Sequence, residues 1–161
     1  MSAMDLSLIA RVLHVLAIII WIGGVGFVTF VLLPALRPQT GRADWLDKFI
    51  LLENRFAWLA RFASLLAGLT GFYILYDNNL WDRFAEPTFW WLHGMILVWA
   101  IFSFVLFIGE PLFLDAWLQA KVARDPAGAH RLVYRLHLLL LILSLVVAAG
   151  AVAGSHGGIM F

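Results

Sequence analysis

Five histidines and no cysteine set the chemistry open to this chain. The missing thiols exclude disulfide frameworks, thiolate zinc sites, cysteine nucleophiles and covalently attached c-type haem. Imidazole remains, and it ligates metals through a neutral ring nitrogen or moves protons near neutral pH. His14 and His93 draw attention first because both lie among apolar residues. A polar side chain placed in lipid is costly, and there it is a functional candidate by default.

Elements that can position these rings follow from composition. Of 161 residues, 63% are hydrophobic and 13% charged, against about 45–50% apolar and about 25% charged in a soluble domain. A bilayer core of about 30 Å is crossed by about 20 apolar residues in a helix, which satisfies its own backbone hydrogen bonds. Four stretches qualify: roughly Val12 to Leu33, stopped by Pro34 and Pro38; Phe56 to Tyr76, stopped by Asp77-Asn78-Asn79; Phe89 to Ile108; and Leu136 to Gly154. Glu86-Pro87-Thr88 and Asp125-Pro126 read as helix starts, since proline is tolerated in a first turn.

The expected fold is therefore all-α, a single four-helix transmembrane bundle over 1–161. The first span is too long for a cleaved signal segment. Arg37, Arg42, Lys48, Arg55, Arg61, Lys121, Arg124, Arg131 and Arg135 fall on the side of the first and third loops, and only Arg11 and Arg83 on the other. The positive-inside rule then predicts a bacterial-type cytoplasmic membrane protein with both termini outside. A formal net charge of +1 excludes a nucleic-acid reader driven by a basic field. The segment around Trp45, Leu46 and Phe49 suits an interfacial helix or an inward extension of span two, and Leu112 to Arg124 reads similarly.

Depth then sorts the histidines. His14 and His93 lie near the outer ends of spans one and three, within several ångströms of one level at about 1.5 Å per residue. Two imidazoles at one level on different helices can ligate one iron, the way a bundle holds b-type haem without covalent attachment. On span one, Trp21 and Gly24 share a stripe with His14, and Gly24 would let a flat ring approach the backbone. Arg11 and Arg83 are placed to meet haem propionates. The plainer alternative is that each histidine hydrogen-bonds a neighbouring helix. His156, beyond span four, is a third ligand or a frayed end. His137 lies near the inner end of span four with Arg61, Glu110, Tyr134 and Arg135, as a quinone or propionate site, a second haem pocket, or an interfacial polar cluster. Arg61 either snorkels or pairs with Glu110. His130 falls in a loop and carries little information.

Leu13-His14-Val15-Leu16-Ala17, then Trp21-Ile22-Gly23-Gly24 and Leu32-Leu33-Pro34-Ala35-Leu36-Arg37, resemble the membrane domain of copper-resistance D proteins and the related four-helix protoporphyrinogen IX oxidases. Trp91-Leu92-His93 is similar to the third helix of the latter, where a lysine follows the histidine by two positions. That resemblance implies a membrane haem b protein with His14 and His93 associated with the haem. Met95 stands where that lysine would be, which argues against protoporphyrinogen oxidation and leaves a redox protein as the enzyme class in view.

The leading functional expectation is electron transfer through a bis-histidine haem b near the outer face, with a quinone or an outer-face redox partner. The alternative is copper handling, because Met1, Met4, Met95 and Met160 fall on the outer side with His14, His93 and His156, and thioether plus imidazole suits copper. A third reading is a small assembly subunit. Gly150 and Gly154 form a G-x-x-x-G stripe, extended by Gly158, which serves packing within the bundle or a homo-oligomer, a dimer or trimer, equally well. No P-loop, serine nucleophile motif or paired mid-membrane carboxylates are visible, so transporter and hydrolase readings rank lower.

Overall fold

The computed structural model describes residues 3–36 and 44–156. Its regular elements are helical, and among the described residues there is no strand. They join into four rods. The first is α1 (Ala3–Phe27), a π-helical segment (Val28–Leu32) and α2 (Leu33–Ala35). The second is α3 (Asp44–Asp77), the third α4 (Trp90–Phe104), a second π-helical segment (Val105–Leu114) and α5 (Asp115–Arg124), and the fourth α6 (Pro126–Ser155). The stretches Asp5–Ala35, Trp45–Asp77, Pro87–Arg124 and Pro126–Ser155 are each long and apolar enough to cross a bilayer.

Helix ends follow local chemistry. Asp125 accepts a hydrogen bond from Gly128 N–H at 2.8 Å and Pro126 occupies the first turn, as an N-cap followed by proline should. At the end of α3, Asn79 takes a left-handed conformation (φ 49°). There Leu80 N–H donates to Leu75 O at 3.0 Å and Asn79 N–H to Tyr76 O at 3.2 Å. These two bonds form a Schellman motif, with Leu80 packed against the apolar cluster that contains Leu75. The chain then passes through 3₁₀ turns at Trp81–Ala85 and Pro87–Phe89 into α4.

Pro34 does not stop the first rod. The helix passes it after the π segment and ends at Ala35, while Pro38 lies outside the described residues. Pro111 is likewise inside the second π segment. A proline ring clashes with the carbonyl four residues before it in an α-helix. A π turn is wider, so both rods continue where ordinary α geometry would break.

The rods form a ring in which the first contacts the second and fourth, and the third contacts the second and fourth. The first and third meet across the centre where Trp21 sets its ring edge to Phe102, centroids 4.8 Å apart. We call the end bearing Ala3, Asp77, Trp90 and Ser155 the terminal end, and the other the hairpin end. At the hairpin end Trp45, Leu46 and Phe49 are buried with Leu118, Val122, Ala129 and Val133. The start of α3 is therefore an extension of the second rod rather than a separate interfacial helix, and Trp45 is part of the core. Outward faces stay apolar, with Leu8, Ile19, Trp58, Leu69, Leu139 and Val152 exposed, the pattern of helices whose surroundings are as apolar as their core.

The glycine stripe of the fourth rod is used inside the chain. A Cβ at Gly150 would come within 2.7 Å of the Trp90 ring, and one at Gly154 would collide with the Trp91 ring. Gly150 and Gly154 thus serve packing within the bundle, while Gly158 lies outside the described residues. On the second rod, Gly68 lies under Trp99, whose indole N–H donates to Ser64 O at 3.0 Å.

Candidate functional site

His14 projects from α1 onto α3. Its Nδ1 lies 2.9 Å from Ala67 O and 3.1 Å from Thr70 Oγ1. A carbonyl can only accept, so Nδ1 carries the proton and donates it. Thr70 gives its own proton to Leu66 O at 2.6 Å, leaving its oxygen to share the His14 proton. Nε2 is thus the bare nitrogen, with no hydrogen-bond partner among the described residues. Gly71 makes room for the ring, since a Cβ there would come within 3.0 Å of His14 Cε1.

The other residues of the expected outer site have contacts of their own. His93 is exposed on α4, its ring edge-on to Phe84 with centroids 5.3 Å apart, and no hydrogen bond or ring contact joins it to His14. Arg11 donates to Asn78 Oδ1 at 2.8 Å, and Arg83 lies over the Phe89 ring, 4.9 Å from its centroid. Gly24 is covered by the Phe56 ring, so the flat group against that backbone is a side chain of this chain. Trp21 is buried in the central layer with Ala17, Val25, Ala63 and Phe102. His156 is exposed at the end of α6, where its Nδ1–H donates to Val152 O at 2.9 Å.

Metal chemistry can be tested on this donor set. Among the described residues no three His, Asp or Glu side chains converge to hold a metal ion. Of the methionines expected to serve copper, Met95 packs beside the apolar central cluster. Met1, Met160 and the Met4 side chain lie outside what is described. Haem makes a smaller demand, one or two axial nitrogens. His14 has one ring N–H held by a carbonyl and its other nitrogen without a hydrogen-bond partner, an arrangement common among metal-bound histidines.

In the hairpin half Arg61 takes the second of its two expected roles and pairs with Glu110. Arg61 Nη2 pairs with Glu110 Oε2 at 2.9 Å, and Arg61 Nε donates to Leu106 O at 2.9 Å. The second bond has a backbone cause. In a π-helix Leu106 O would accept from residue 111, and Pro111 has no N–H. The arginine supplies the missing donor.

Beside this pair lies a cavity of about 90 Å³ lined from all four rods, with Trp21 and Val28 from the first, Glu53 and Phe56 from the second, Glu110 from the third and His137 from the fourth. His137 Nδ1–H donates to Val133 O at 3.0 Å, so its Nε2 is also bare. The Trp21 indole N–H is buried without an acceptor.

Glu53 was missed by sequence reasoning because it sits in a stretch read as flanking span two. Its position nine residues into a continuous α3 is what carries it to the bundle axis. His130, read as a loop residue, is buried in α6. It donates Nε2–H to Leu33 O at 2.8 Å and meets the Trp45 ring edge-on, satisfying a carbonyl at the end of the first rod. Its place within a helix after Asp125-Pro126 was the available signal. Comparison with protein-family models, with curated proteins and with solved structures finds no match for the chain.

Proposed function

We propose that this chain is a multi-pass protein of a bacterial-type cytoplasmic membrane that holds a b-type haem near its terminal end and passes electrons. The observation that carries the reading is the hydrogen bond from His14 Nδ1 to Ala67 O, which fixes the tautomer and orients a free Nε2. The resemblance of the His14 and His93 segments to a membrane haem family points the same way. In this reading His14 and His93 would hold the haem iron, and both termini, with Arg11 and Arg83, face outward by the positive-inside rule.

When bound, the haem supplies one-electron transfer. Held by two imidazoles, a haem would serve electron transfer rather than oxygen chemistry. The chain's own part is to hold the His14 ring against Gly71 and Thr70 so that Nε2 cannot turn away, and to offer cations from Arg11 and Arg83 for propionates. A lipid-soluble quinone and an outer-face partner are the electron-exchange partners of this reading. Trp21 and Gly24 have no ligand role in it.

The test is a dithionite-reduced minus oxidised spectrum of the detergent-purified protein, with haem quantified per chain, repeated for His14→Ala and His93→Ala. A b-type spectrum lost or converted to high spin in both variants is the expected result. A folded wild-type protein without haem after expression with haem precursor overturns the reading. Loss in His14→Ala alone removes His93 from the ligand set.

A further inference from the structure

The arginines divide into those with a partner inside the chain and those without. Arg11 donates to Asn78, Arg61 to Glu110 and Leu106 O, and Arg83 covers the Phe89 ring. Arg131 and Arg135 on α6 are both exposed, and neither has a hydrogen bond, ion pair or ring contact among the described residues. Nearby acids are engaged elsewhere: Asp125 accepts from Gly128 N–H at the start of the rod, and Asp115 of α5 is within electrostatic reach of Glu53 and Glu110. The last turn of α5, which packs against α6, adds Lys121 and Arg124, charges of the same sign.

Helical spacing sets the two guanidinium groups on one line, since side chains four residues apart stand one above the other. Continuing along that face at three- or four-residue steps, Leu139, Ile142 and Val146 are exposed, while His130, Val133, Leu141 and Ser144 are buried on the other side. From Arg135 to Val146 is about 16 Å at about 1.5 Å per residue, about half of a bilayer core of about 30 Å. No Asp, Glu, Lys or Arg occurs in the rod after Arg135. The face is a charged head above one leaflet's depth of apolar surface. One cation at a rod end is explained by snorkelling, but two like charges one turn apart repel each other, and an anion between them removes that cost. Guanidinium forks match phosphate oxygens in geometry as well as charge. An acidic protein segment would meet the charges and leave the apolar stripe uncovered, whereas a phospholipid covers both.

We propose that this face of the fourth rod is a docking site for an anionic phospholipid, with the headgroup phosphate held by Arg131 and Arg135 and an acyl chain lying along Leu139, Ile142 and Val146. A headgroup of net negative charge is selected, because a zwitterionic one brings its own ammonium to the same two cations. The site belongs to the hairpin end and is independent of any haem.

The test is native mass spectrometry of the detergent-purified full chain, titrated with phosphatidylglycerol or with phosphatidylcholine of the same acyl chains. Phosphatidylglycerol should bind the more tightly. Arg131→Gln and Arg135→Gln should each weaken it about fivefold, the factor expected for one basic side chain at an anionic lipid surface, and the double variant about 30-fold. Arg55→Gln, which removes an exposed arginine of the hairpin end from another rod, should leave that binding unchanged, and glycerophosphoglycerol, the headgroup without acyl chains, should not compete at the concentration of the lipid. If the double variant does not fold, the two single variants carry the test. Equal binding of the two lipids, loss in Arg55→Gln as large as in Arg135→Gln, arginine variants that bind phosphatidylglycerol as the unaltered chain does, or displacement by the free headgroup overturns the proposal. Haem content enters none of these readouts, so they stand or fall apart from the reduced-minus-oxidised spectrum.

Discussion

At the terminal end several polar groups are held separately by local partners: His14 by Ala67 O and Thr70, Arg11 by Asn78, Arg83 by the Phe89 ring, His156 by Val152 O. Indole rings laid over glycines fill the space between rods three and four. At the hairpin end the groups instead converge, with Arg61, Glu110, Glu53 and His137 around one cavity on the bundle axis. Groups at a rod end can reach water or headgroups and need no one another. Groups carried to the axis lose that escape and must be matched by their neighbours. Shared depth along the helices therefore grouped both His14 with His93 and His137 with Arg61 and Glu110, whereas only direction toward the axis adds Glu53 to the second set.

Breaking the convergent end should cost most. Arg61→Leu leaves Glu110 without its cation and Leu106 O without its donor, and is expected to lower stability by about 2–3 kcal/mol, measured by denaturant unfolding in detergent. Arg61→Lys should recover only part, because one ammonium cannot serve both acceptors in guanidinium geometry. Next comes the packed end. Gly154→Leu drives a side chain into the Trp91 ring and should cost about 1–3 kcal/mol, with the particle size in detergent unchanged on size exclusion. A stripe used for oligomer contact would instead change that size. The smallest effect belongs to the centre, where Ser64 and Ser103 hydroxyls lie 3.2 Å apart. Ser64→Ala should cost about 0.6 kcal/mol, since the Trp99 bond goes to the Ser64 carbonyl, which alanine keeps.

The rods were legible because a span must be apolar for about 20 residues, and Asp125-Pro126 and Asp77-Asn78-Asn79 mark their ends as helix chemistry requires. Their full lengths were less so. The first half of α3 mixes Asp47, Lys48 and Glu53 with Trp45, Leu46 and Phe49, a pattern an interfacial helix shares. Only the partner surface, Leu118, Val122 and Val133 from the third and fourth rods, shows that its apolar side is buried in protein. Of the expected outer residues, the sequence could place His14 in depth but could not say which way the ring turns. Gly24 looked like a cradle for a ligand because nothing along the chain reveals that Phe56, distant in sequence, covers it. Glu53 and Glu110 were invisible as a pair for the same reason, as their meeting depends on where two rods lie side by side in the bundle.

The π segment of the third rod also acts as a phase shifter. An α-helix turns about 100° per residue, and a π segment absorbs extra residues without a loop, so the face presented after it differs from the one the preceding helix would have continued. Here that offset lets Phe102 face the bundle axis while Leu118 and Val122, beyond the segment, still join the hairpin-end cluster. Removing one residue between Val105 and Leu114 would therefore not merely shorten the rod. It would rotate everything downstream, swinging Leu118 and Val122 away from Phe49 and Val133. Insertions and deletions at this spot act as changes of angle, and so the length of the segment is as much a part of the chain's information as the identity of its residues.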